Sequence, residues 1–514
     1  MLRDDLSRAE AYPAPVRPPE VRETHVSWAF LTDADVYKVK KPVKYPFLDF
    51  STLTARRHAC EAEVVLNQRL AAGAYFGVVP VRRGPDGKAW FGPTGEVIDW
   101  AVHMVRLPDE ARADQRLANG TLDEAKIDAL AEHIAAFHAR ARCDHTTTRW
   151  GAVSAIAKNV TENFAEVDPA SEGLLSAEQA KELEDWQLDF LETRRTTFER
   201  RCREGRVRDG HGDLRLDHVY FGDEGEITIL DCIEFSERFR CADVCADVAF
   251  LSMDLAAHGR VDLSERFLAK YARAANDFEL YALVDFYESY RAYVRAKVAT
   301  LQGATADARR HFTLALAAHR RTVLSPVVVA VGGIIASGKS TIADAVGDRL
   351  SAPVVDADRT RKHMLGLAAT EHAHSGAFEG AYDPKFTEKV YAEMLWRAAH
   401  VLESGRPVVL DASFRSAEMR RAARDLAKEH GVPFLMIECR ARPEVCRARL
   451  AKREKETSVS DGRRAIFDAF VARVEPMTEL GYDERVVIDT EQPLAESLKE
   501  IERSLQSWPR GLVA

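Results

Sequence analysis

Residues 327–341 read Val-Val-Val-Ala-Val-Gly-Gly-Ile-Ile-Ala-Ser-Gly-Lys-Ser-Thr, an apolar run that leads into a glycine-rich turn. The spacing of its glycines and of the Lys-Ser pair is that of a Walker A loop (P-loop). Glycines let backbone N–H groups approach phosphate oxygens, a lysine neutralises charge, and a serine hydroxyl can ligate Mg²⁺. The apolar run predicts a strand and the residues after it a helix. We therefore expect a nucleoside triphosphate, ATP or GTP, to bind with Mg²⁺ at Gly333, Ser337, Gly338, Lys339, Ser340 and Thr341.

Length and composition are those of an ordinary soluble protein with more than one domain. The 514 residues exceed what one core supports, and 30% are charged against 46% hydrophobic. No apolar stretch reaches membrane-span length, and the N-terminus lacks a signal-peptide pattern. Eight cysteines without a CxxC pair fit a reducing compartment. We expect a cytoplasmic protein without a membrane partner, and the net charge of −9 counts mildly against nucleic acid.

Proline positions mark the predicted boundaries. Four prolines between positions 13 and 19 predict an extended lead-in over 1–23. The pattern is strand-rich over about 24–107 and mostly helical over about 108–323, until Ser325-Pro326 interrupts it. Short apolar strands then alternate with amphipathic helices, which is typical of a doubly wound parallel sheet. We predict one α+β domain over 24–323 and one α/β P-loop domain over 325–514.

Carboxylates follow two predicted strands of the P-loop domain. Asp356 and Asp358 come after the second strand, and Asp411 comes after the third. Ligands bind at the carboxyl edge of such sheets. Of the first two, one can hold Mg²⁺ and the other can orient or deprotonate an acceptor hydroxyl, while Asp411 suits the metal shell or the acceptor. Each could instead cap the helix that follows.

Arg449 and Arg453 stand four residues apart, so they share one face of a predicted helix. With the motifs above, residues 325–510 resemble the small P-loop kinases that include gluconate and shikimate kinases and polynucleotide 5′-kinase. The resemblance implies that Asp358 is the acceptor-side base, that Arg361 anchors the substrate, and that the two arginines close a lid over the phosphate. It also implies an acceptor pocket within 366–386.

The second constellation is His211-Gly-Asp213, then His218, then Asp231 at the end of a hairpin strand. It resembles the catalytic and metal loops of aminoglycoside phosphotransferases, which have a protein-kinase-like fold. The resemblance implies that Asp213 accepts the proton of a substrate hydroxyl and that Asp231 is the main Mg²⁺ ligand. His218 stands where the family has asparagine, and an imidazole is a poor ligand for a hard cation.

Upstream residues fit the same resemblance. It implies a phosphate-binding lysine in the third strand, either Lys38 or Lys40, with Glu63 on the next helix as its ion-pair partner. The first hairpin lacks a GxGxxG loop and has Thr24-His-Val-Ser-Trp-Ala-Phe30 in its place. The sequence therefore leaves open the alternative that this domain is a degenerate kinase, which binds nucleotide or substrate without catalysis.

Together these patterns resemble bacterial bifunctional proteins in which an aminoglycoside-phosphotransferase-like domain is fused to a P-loop ATP-binding domain. The leading interpretation is an ATP- and Mg²⁺-dependent kinase, whose P-loop domain phosphorylates a hydroxyl of a small metabolite such as a sugar or sugar derivative. In one alternative, the N-terminal domain is a non-catalytic sensor that gates the P-loop domain. In another, the P-loop domain is a polynucleotide 5′-end kinase.

Overall fold

The computed structural model describes residues 2–13, 17–45, 48–318, 325–372, 378–453, 459 and 462–505. The chain divides into two compact units. Unit 1 comprises Met1–Asp254 with Thr300–Gln302, and unit 2 comprises Leu255–Ala299 with Gly303–Ala514. Among the described residues, no helix combines the length and the apolar character that crossing a membrane requires.

Unit 1 contains most of the antiparallel structure. Its strands are β1 Glu20–Glu23, β2 Ser27–Leu31, β3 Asp35–Lys40, β4 Lys44–Tyr45, β5 Leu48–Asp49, β6 Tyr75–Arg83, β7 Ala89–Trp90, β8 Val97–Val105, β9 Val207–Asp209, β10 Val219–Phe221, β11 Ile227–Ile229 and β12 Cys241–Asp243. Its helices are α1 Leu2–Leu6, α2 Leu53–Asn67, α3 Ala113–Ala118, α4 Glu124–Arg140, α5 His145–Thr148, α6 Val153–Glu166, α7 Ala177–Thr193, α8 Arg195–Arg203, α9 Glu237–Arg240 and α10 Val244–Ala257, whose last residues belong to unit 2.

The main sheet of unit 1 has the order β1-β2-β3-β8-β6-β7, and its neighbouring strands are antiparallel. Helix α2 packs on β8 and β6, where Cys60 and Val64 share an apolar cluster with Val102 and Met104. Lys38 of β3 lies opposite Val102 in the register. The antiparallel sheet packed by α2, followed by a helical region, confirms the predicted kinase-like α+β fold.

The lead-in differs from the extended segment predicted over 1–23. Helix α1 and a 3-10 turn over Ala9–Ala11 form there, and β1 begins at Glu20. The side chain of Leu6 is fully buried, and the ring of Tyr12 lies 5.2 Å from Tyr37 and 5.4 Å from Phe91. The prolines follow this apolar segment without preventing it from packing, because they lie outside its helical turns.

Unit 2 contains a parallel sheet and ten helices among its described residues. Its strands are β13 Val328–Gly333, β14 Val354–Asp356, β15 Val408–Asp411, β16 Phe434–Arg440 and β17 Arg485–Asp489. Its helices are α11 Val261–Ala274, α12 Val284–Leu301, α13 Thr305–Ala317, α14 Lys339–Leu350, α15 Ala357–Met364, α16 Pro384–Glu403, α17 Ala417–Glu429, α18 Pro443–Arg453, α19 Arg464–Val471 and α20 Leu494–Ser504.

The sheet order in unit 2 is β14-β15-β13-β16-β17, with every pair parallel. The valines of β13 are fully buried, as expected of a central strand that is covered on both faces. The predicted α/β parallel-sheet class is therefore confirmed. In the register, Asp411 lies opposite both Val331 and Asp356, so the ends of three strands meet at one edge.

Helices α11 and α12 group with the P-loop segment, although the sequence predicts a boundary between 323 and 325. Arg406, which precedes β15, donates to Glu265 of α11 at 2.7 Å and to Asp285 of α12 at 2.9 Å. The guanidinium is almost completely buried. Burial raises the pKa of Asp285, and Arg406 opposes that shift. The domain boundaries expected from the sequence stay a prediction. The contacts show which segments pack together, and they do not show which segments fold independently.

Replacing Arg406 should therefore destabilise unit 2. The Arg406→Ala variant leaves two carboxylates without their cation in a buried site, which we expect to cost about 3–5 kcal/mol of unfolding free energy. Urea unfolding followed by tryptophan fluorescence measures it. The matched control is Arg442→Ala, whose guanidinium is 74% exposed beside Glu491, so its loss should change the unfolding free energy far less. Equal losses in the two variants would contradict the prediction.

Candidate functional site

The loop between β13 and α14 can approach phosphate closely because two of its residues are glycines. Gly333 has a φ of 149°, and a Cβ there would lie 2.5 Å from the carbonyl oxygen of Cys439. Gly338 has a φ of 90°, precedes α14, and would bring a Cβ within 3.1 Å of Thr490. The hydroxyl of Ser337 is buried and has no hydrogen-bond partner among the described residues. The backbone N–H groups at the start of α14 complete a cradle that fits a triphosphate.

Asp411 and Ser340 form the best oxygen-donor pair beside this cradle. Burial raises the pKa of Asp411, while the Lys339 ammonium and the Ser340 hydroxyl lower it. Its Oδ1 atom is buried without a hydrogen-bond partner in the described part of the chain. Within the same ranges, no three His, Cys, Asp or Glu side chains gather to hold a metal by themselves. Such a pair suits Mg²⁺, which is commonly held by one or two protein oxygens together with substrate phosphates.

Asp356 is engaged with arginines. It caps α15, where it accepts a hydrogen bond from the backbone N–H of Arg359 at 2.7 Å. Its Oδ2 lies 3.7 Å from the Nε of Arg273 and 3.5 Å from that of Arg359. Burial raises the pKa of Asp356 to about 6, with Arg273 opposing the shift and Asp411 adding to it. The N-cap alternative that the sequence left open is realised at Asp356, which reduces its availability to a metal.

Asp358 and Arg361 lie on α15 and line a cavity that the phosphate loop also lines. Their Oδ1 and Nη1 atoms form an ion pair of 3.0 Å, and the Arg361 guanidinium lies 4.4 Å from the ring centre of Tyr382. The cavity has a volume of about 380 Å³ and is also lined by Lys339, Ser340, Asp356, Asp411, Arg415 and Arg453. Tyr382 belongs to the predicted 366–386 acceptor segment, of which residues 373–377 lie outside the described part. Residues of the phosphate loop and residues expected on the acceptor side thus line one cavity.

The two predicted lid arginines on α18 have different environments. Arg453 lines the cavity together with Thr341 of the first turn of α14. Arg449 donates to the carbonyl oxygen of Thr490 at 2.6 Å and to that of Ala336 at 3.3 Å, so it braces the phosphate loop. Closure of either arginine over phosphate stays a prediction.

In unit 1, both candidate lysines of β3 contact Glu63 of α2. Lys38 donates to Glu63 at 2.9 Å and also pairs with Asp231. Lys40 is fully buried, and it pairs with Glu63 and with Glu234. Burial lowers the pKa of both ammonium groups, but the adjacent carboxylates more than compensate and raise it. Lys38 is the lysine next to the predicted metal-binding aspartate, so the geometry favours it for phosphate and assigns Lys40 to the core.

The loop that carries Asp213 is held by Arg215. The Nε of Arg215 donates to Asp213 at 3.1 Å, and its Nη1 donates to Asp217 at 2.9 Å. His218 bonds through Nδ1 to the carbonyl oxygen of Asp213 at 2.9 Å and through Nε2 to Arg215 at 3.0 Å. Its Nε2 also lies 3.6 Å from Asp231. Both ring nitrogens of His218 therefore have partners in this network, and its expected role as a metal ligand stays a prediction.

Comparison with curated proteins gives matches along nearly the whole chain. The chain is 34% identical over 485 residues to Uncharacterized protein Rv2004c of Mycobacterium tuberculosis and to Uncharacterized protein Mb2027c of Mycobacterium bovis. The matches cover 93% of this chain and 94% of each relative. The chain belongs to the family of these mycobacterial proteins. In this chain, the family model described as AAA domain (AAA_33) matches residues 328–477.

Solved structures resemble the two parts of this family member separately. A gluconokinase from Sinorhizobium meliloti 1021 is 20% identical and covers 35% of this chain and 92% of its own, with a TM-score of 0.27. The structure of the Mycobacterium tuberculosis APS kinase CysC in complex with AMPPNP and APS is 22% identical. It covers 36% of this chain and 99% of its own, with a TM-score of 0.25. The structure of the GDP and kanamycin complex of APH(2")-IIia is 14% identical. It covers 62% of this chain and 99% of its own, with a TM-score of 0.38.

Several residues of these sites were not predicted from the sequence. Arg215 and Glu234 follow the predicted Asp213 and Asp231 by two and three positions, so local spacing could have revealed them. Arg415 follows β15 and lines the P-loop cavity, where burial lowers its pKa. Arg273 carries no such signal, because it lies on α11, far from every motif.

Variants of Lys38 and of Lys40 should have different effects, the first on ATP binding and the second on stability. In a Lys339→Ala background, which weakens the P-loop site, Lys38→Ala should weaken the remaining ATP binding measured by isothermal titration calorimetry. Lys40→Ala should instead lower the unfolding free energy by about 3 kcal/mol or more, since Glu63 and Glu234 lose a buried cation. Lys44→Ala is the control, because its side chain is 73% exposed. A larger binding defect for Lys40→Ala than for Lys38→Ala, at intact stability, would reverse the assignment.

The glycine cradle gives a second test. In a Lys38→Ala background, Gly333→Ala should weaken ATP binding by about tenfold or more, because the new Cβ displaces the loop and strains its backbone. Gly431→Ala is the matched control: its φ is also positive, at 64°, yet a Cβ there meets nothing within 4 Å. Calorimetric titration with ATP and Mg²⁺ measures both. Equal affinities in the two variants would show that the loop does not bind phosphate as described.

Proposed function

We propose that unit 2 is a kinase that transfers the γ-phosphoryl group of ATP to a hydroxyl of a small metabolite, such as a sugar or sugar derivative. The supporting observation is that one cavity joins the phosphate loop, through Lys339 and Ser340, to the Asp358–Arg361 pair. A nucleotide switch or motor needs no second polar pair facing the phosphates. A phosphotransferase needs a place for an acceptor within reach of the transferred group.

On the acceptor side, Asp358 is the general base. Its carboxylate is 31% exposed and faces the cavity, whereas the paired Arg361 is 6% exposed and fixed over the ring of Tyr382. Arg361 holds the carboxylate of Asp358 in place through their ion pair and anchors an acceptor oxygen. As the acceptor oxygen bonds to the γ-phosphorus, its proton passes to Asp358 and the bond to the β–γ bridging oxygen breaks, which releases ADP.

On the donor side, the chain supplies fixed positive charge. The Lys339 ammonium and the N–H groups of the loop neutralise phosphate oxygens, and Arg453, which also lines the cavity, offsets charge on the transferred group. The Ser340 hydroxyl and Asp411 would hold Mg²⁺, which when bound neutralises charge on the phosphate oxygens.

For unit 1, we propose nucleotide or ligand binding through Lys38, with a sensor role as the favoured alternative to catalysis. Asp213 is held by Arg215, and Asp231 is held by Lys38 with His218 nearby. Both carboxylates that would carry catalysis are thus engaged by cations of the same unit. That arrangement favours a domain which responds to a ligand over one that turns it over.

A phosphorylation screen tests these proposals. The full-length protein is incubated with ATP, Mg²⁺ and a pool of hydroxyl metabolites, and products are identified by mass spectrometry. Lys339→Ala should abolish product formation, and Asp358→Asn should lower kcat by about 10² to 10⁴ with the KM for ATP unchanged. Lys499→Ala, an exposed surface variant, is the control.

The same screen separates the alternatives. If Asp213→Ala changes only the dependence of turnover on a second ligand, unit 1 is a sensor. If Asp213→Ala removes one of two phosphorylated products, both units are enzymes. An oligonucleotide with a 5′-hydroxyl is included in the pool. Its phosphorylation, with a steep dependence of binding on salt, would replace the metabolite proposal with end-kinase activity.

A further inference from the structure

Arg273 contributes to the P-loop cavity from a helix that precedes the P-loop strand. It lies in the last turn of α11, and its side chain lines the same cavity as Lys339 and Asp358. The AAA domain match begins only at residue 328. The cavity therefore includes a cation that the P-loop family pattern does not contain.

The guanidinium of Arg273 bridges two acidic residues of the site. Its Nη1 donates to Asp344 of α14 at 2.6 Å, and its Nε lies 3.7 Å from Asp356 at the end of β14. The side chain is 22% exposed, and its Nε is buried without a hydrogen-bond partner in the described ranges. One cation thus connects the helix that follows the phosphate loop to the strand end across the cavity.

The cavity carries several negative charges, and the Arg273 bridge compensates part of them. Four carboxylates line it, belonging to Asp344, Asp356, Asp358 and Asp411. Asp358 has Arg361 as its partner, and Asp411 faces Lys339. A triphosphate brings several negative charges into the same space, so any uncompensated carboxylate would repel it. Arg273 is the cation shared by the other two carboxylates, with Arg359 assisting at Asp356.

Attachment of α11 to unit 2 does not depend on Arg273 alone. Lys270, one turn earlier, donates to Asp348 of α14 at 2.7 Å, and Arg266 lies 3.4 Å from the same carboxylate. Glu265 receives the buried Arg406 at 2.7 Å. These contacts lie outside the cavity lining. The position of Arg273 is therefore better accounted for by the charges of the cavity than by the docking of its helix.

We propose that Arg273 is a positioning residue of the nucleotide site. By neutralising Asp344 and Asp356, it allows the triphosphate to bind beside them, so the P-loop site is complete only with helix α11. This inference rests on the proposed function of unit 2. It makes 255–299 a working part of the kinase.

The test measures ATP affinity of the full-length protein with Mg²⁺ by isothermal titration calorimetry, in a Lys38→Ala background. Arg273→Ala should raise the Kd for ATP by about tenfold or more, because the partly exposed Asp344 and the buried Asp356 lose the cation they share. Arg273→Lys should recover most of the affinity, since it restores the charge. Lys270→Ala is the matched control on the same helix and should leave the Kd unchanged.

A double variant distinguishes positioning from direct contact and from a folding defect. Arg273→Ala with Asp344→Asn removes the charge of Asp344 together with the cation, and Asp356 keeps Arg359 as its neighbour, so ATP affinity should return to within about threefold of the parent. No recovery would show that Arg273 contacts the nucleotide itself and would overturn the positioning role. An unchanged Kd for Arg273→Ala would overturn the inference altogether. If Arg273→Ala fails to fold, the lysine and double variants give the same comparison.

Failure of this inference and failure of the proposed function give different results. In the same titration, Lys339→Ala should abolish ATP binding. If Lys339→Ala leaves binding intact, the proposed function is wrong. If Lys339→Ala loses binding while Arg273→Ala keeps it, only the role of Arg273 is wrong.

Discussion

The structure of unit 2 depends on the parallel register of β13, β14 and β15. This register brings the phosphate loop, Asp356 and Asp411 to one buried edge of the sheet. Carboxylates at such an edge are costly unless a cation or a metal compensates them, and the same edge must receive the negative charges of a nucleotide. The arginines and the lysine around the cavity compensate these charges, and Asp358, the proposed general base, lies on the helix that Asp356 caps.

Unit 1 solves a related problem with charges drawn entirely from its own residues. Lys38 lies between Asp231 and Glu63, and Lys40 lies between Glu63 and Glu234, so carboxylates and ammonium groups alternate through the buried site. Each unit has a buried carboxylate oxygen without a hydrogen-bond partner among the described residues, on Asp411 in unit 2 and on Asp217 in unit 1. The two aspartates expected to carry catalysis in unit 1, Asp213 and Asp231, are paired with Arg215 and Lys38, and this pairing supports the sensor proposal for unit 1.

The parts predicted well from the sequence are those encoded by neighbouring residues. The P-loop, the strand before it and the parallel sheet follow from glycine spacing and from short apolar runs. For Asp356 the sequence left two roles open, a metal ligand or a helix N-cap, because an aspartate carboxylate can take either role. The choice between Lys38 and Lys40 could not be made, since residues two apart on a strand point to the same face and only the partners across the sheet distinguish them. The buried lead-in was missed because proline content outweighed a few apolar residues such as Leu6.

The sequence by itself determined that a phosphate loop is followed by two carboxylate-bearing strand ends, and that a kinase-like constellation precedes it. These features are local, so their chemistry can be identified from spacing alone. Only the tertiary structure decided which groups share a cavity: it paired Asp358 with Arg361, left an oxygen of Asp411 unpartnered, and brought Arg273 of α11 to Asp344. The physical reason is that charge compensation in a buried site acts through space, between residues whose distance along the chain carries no periodic signal.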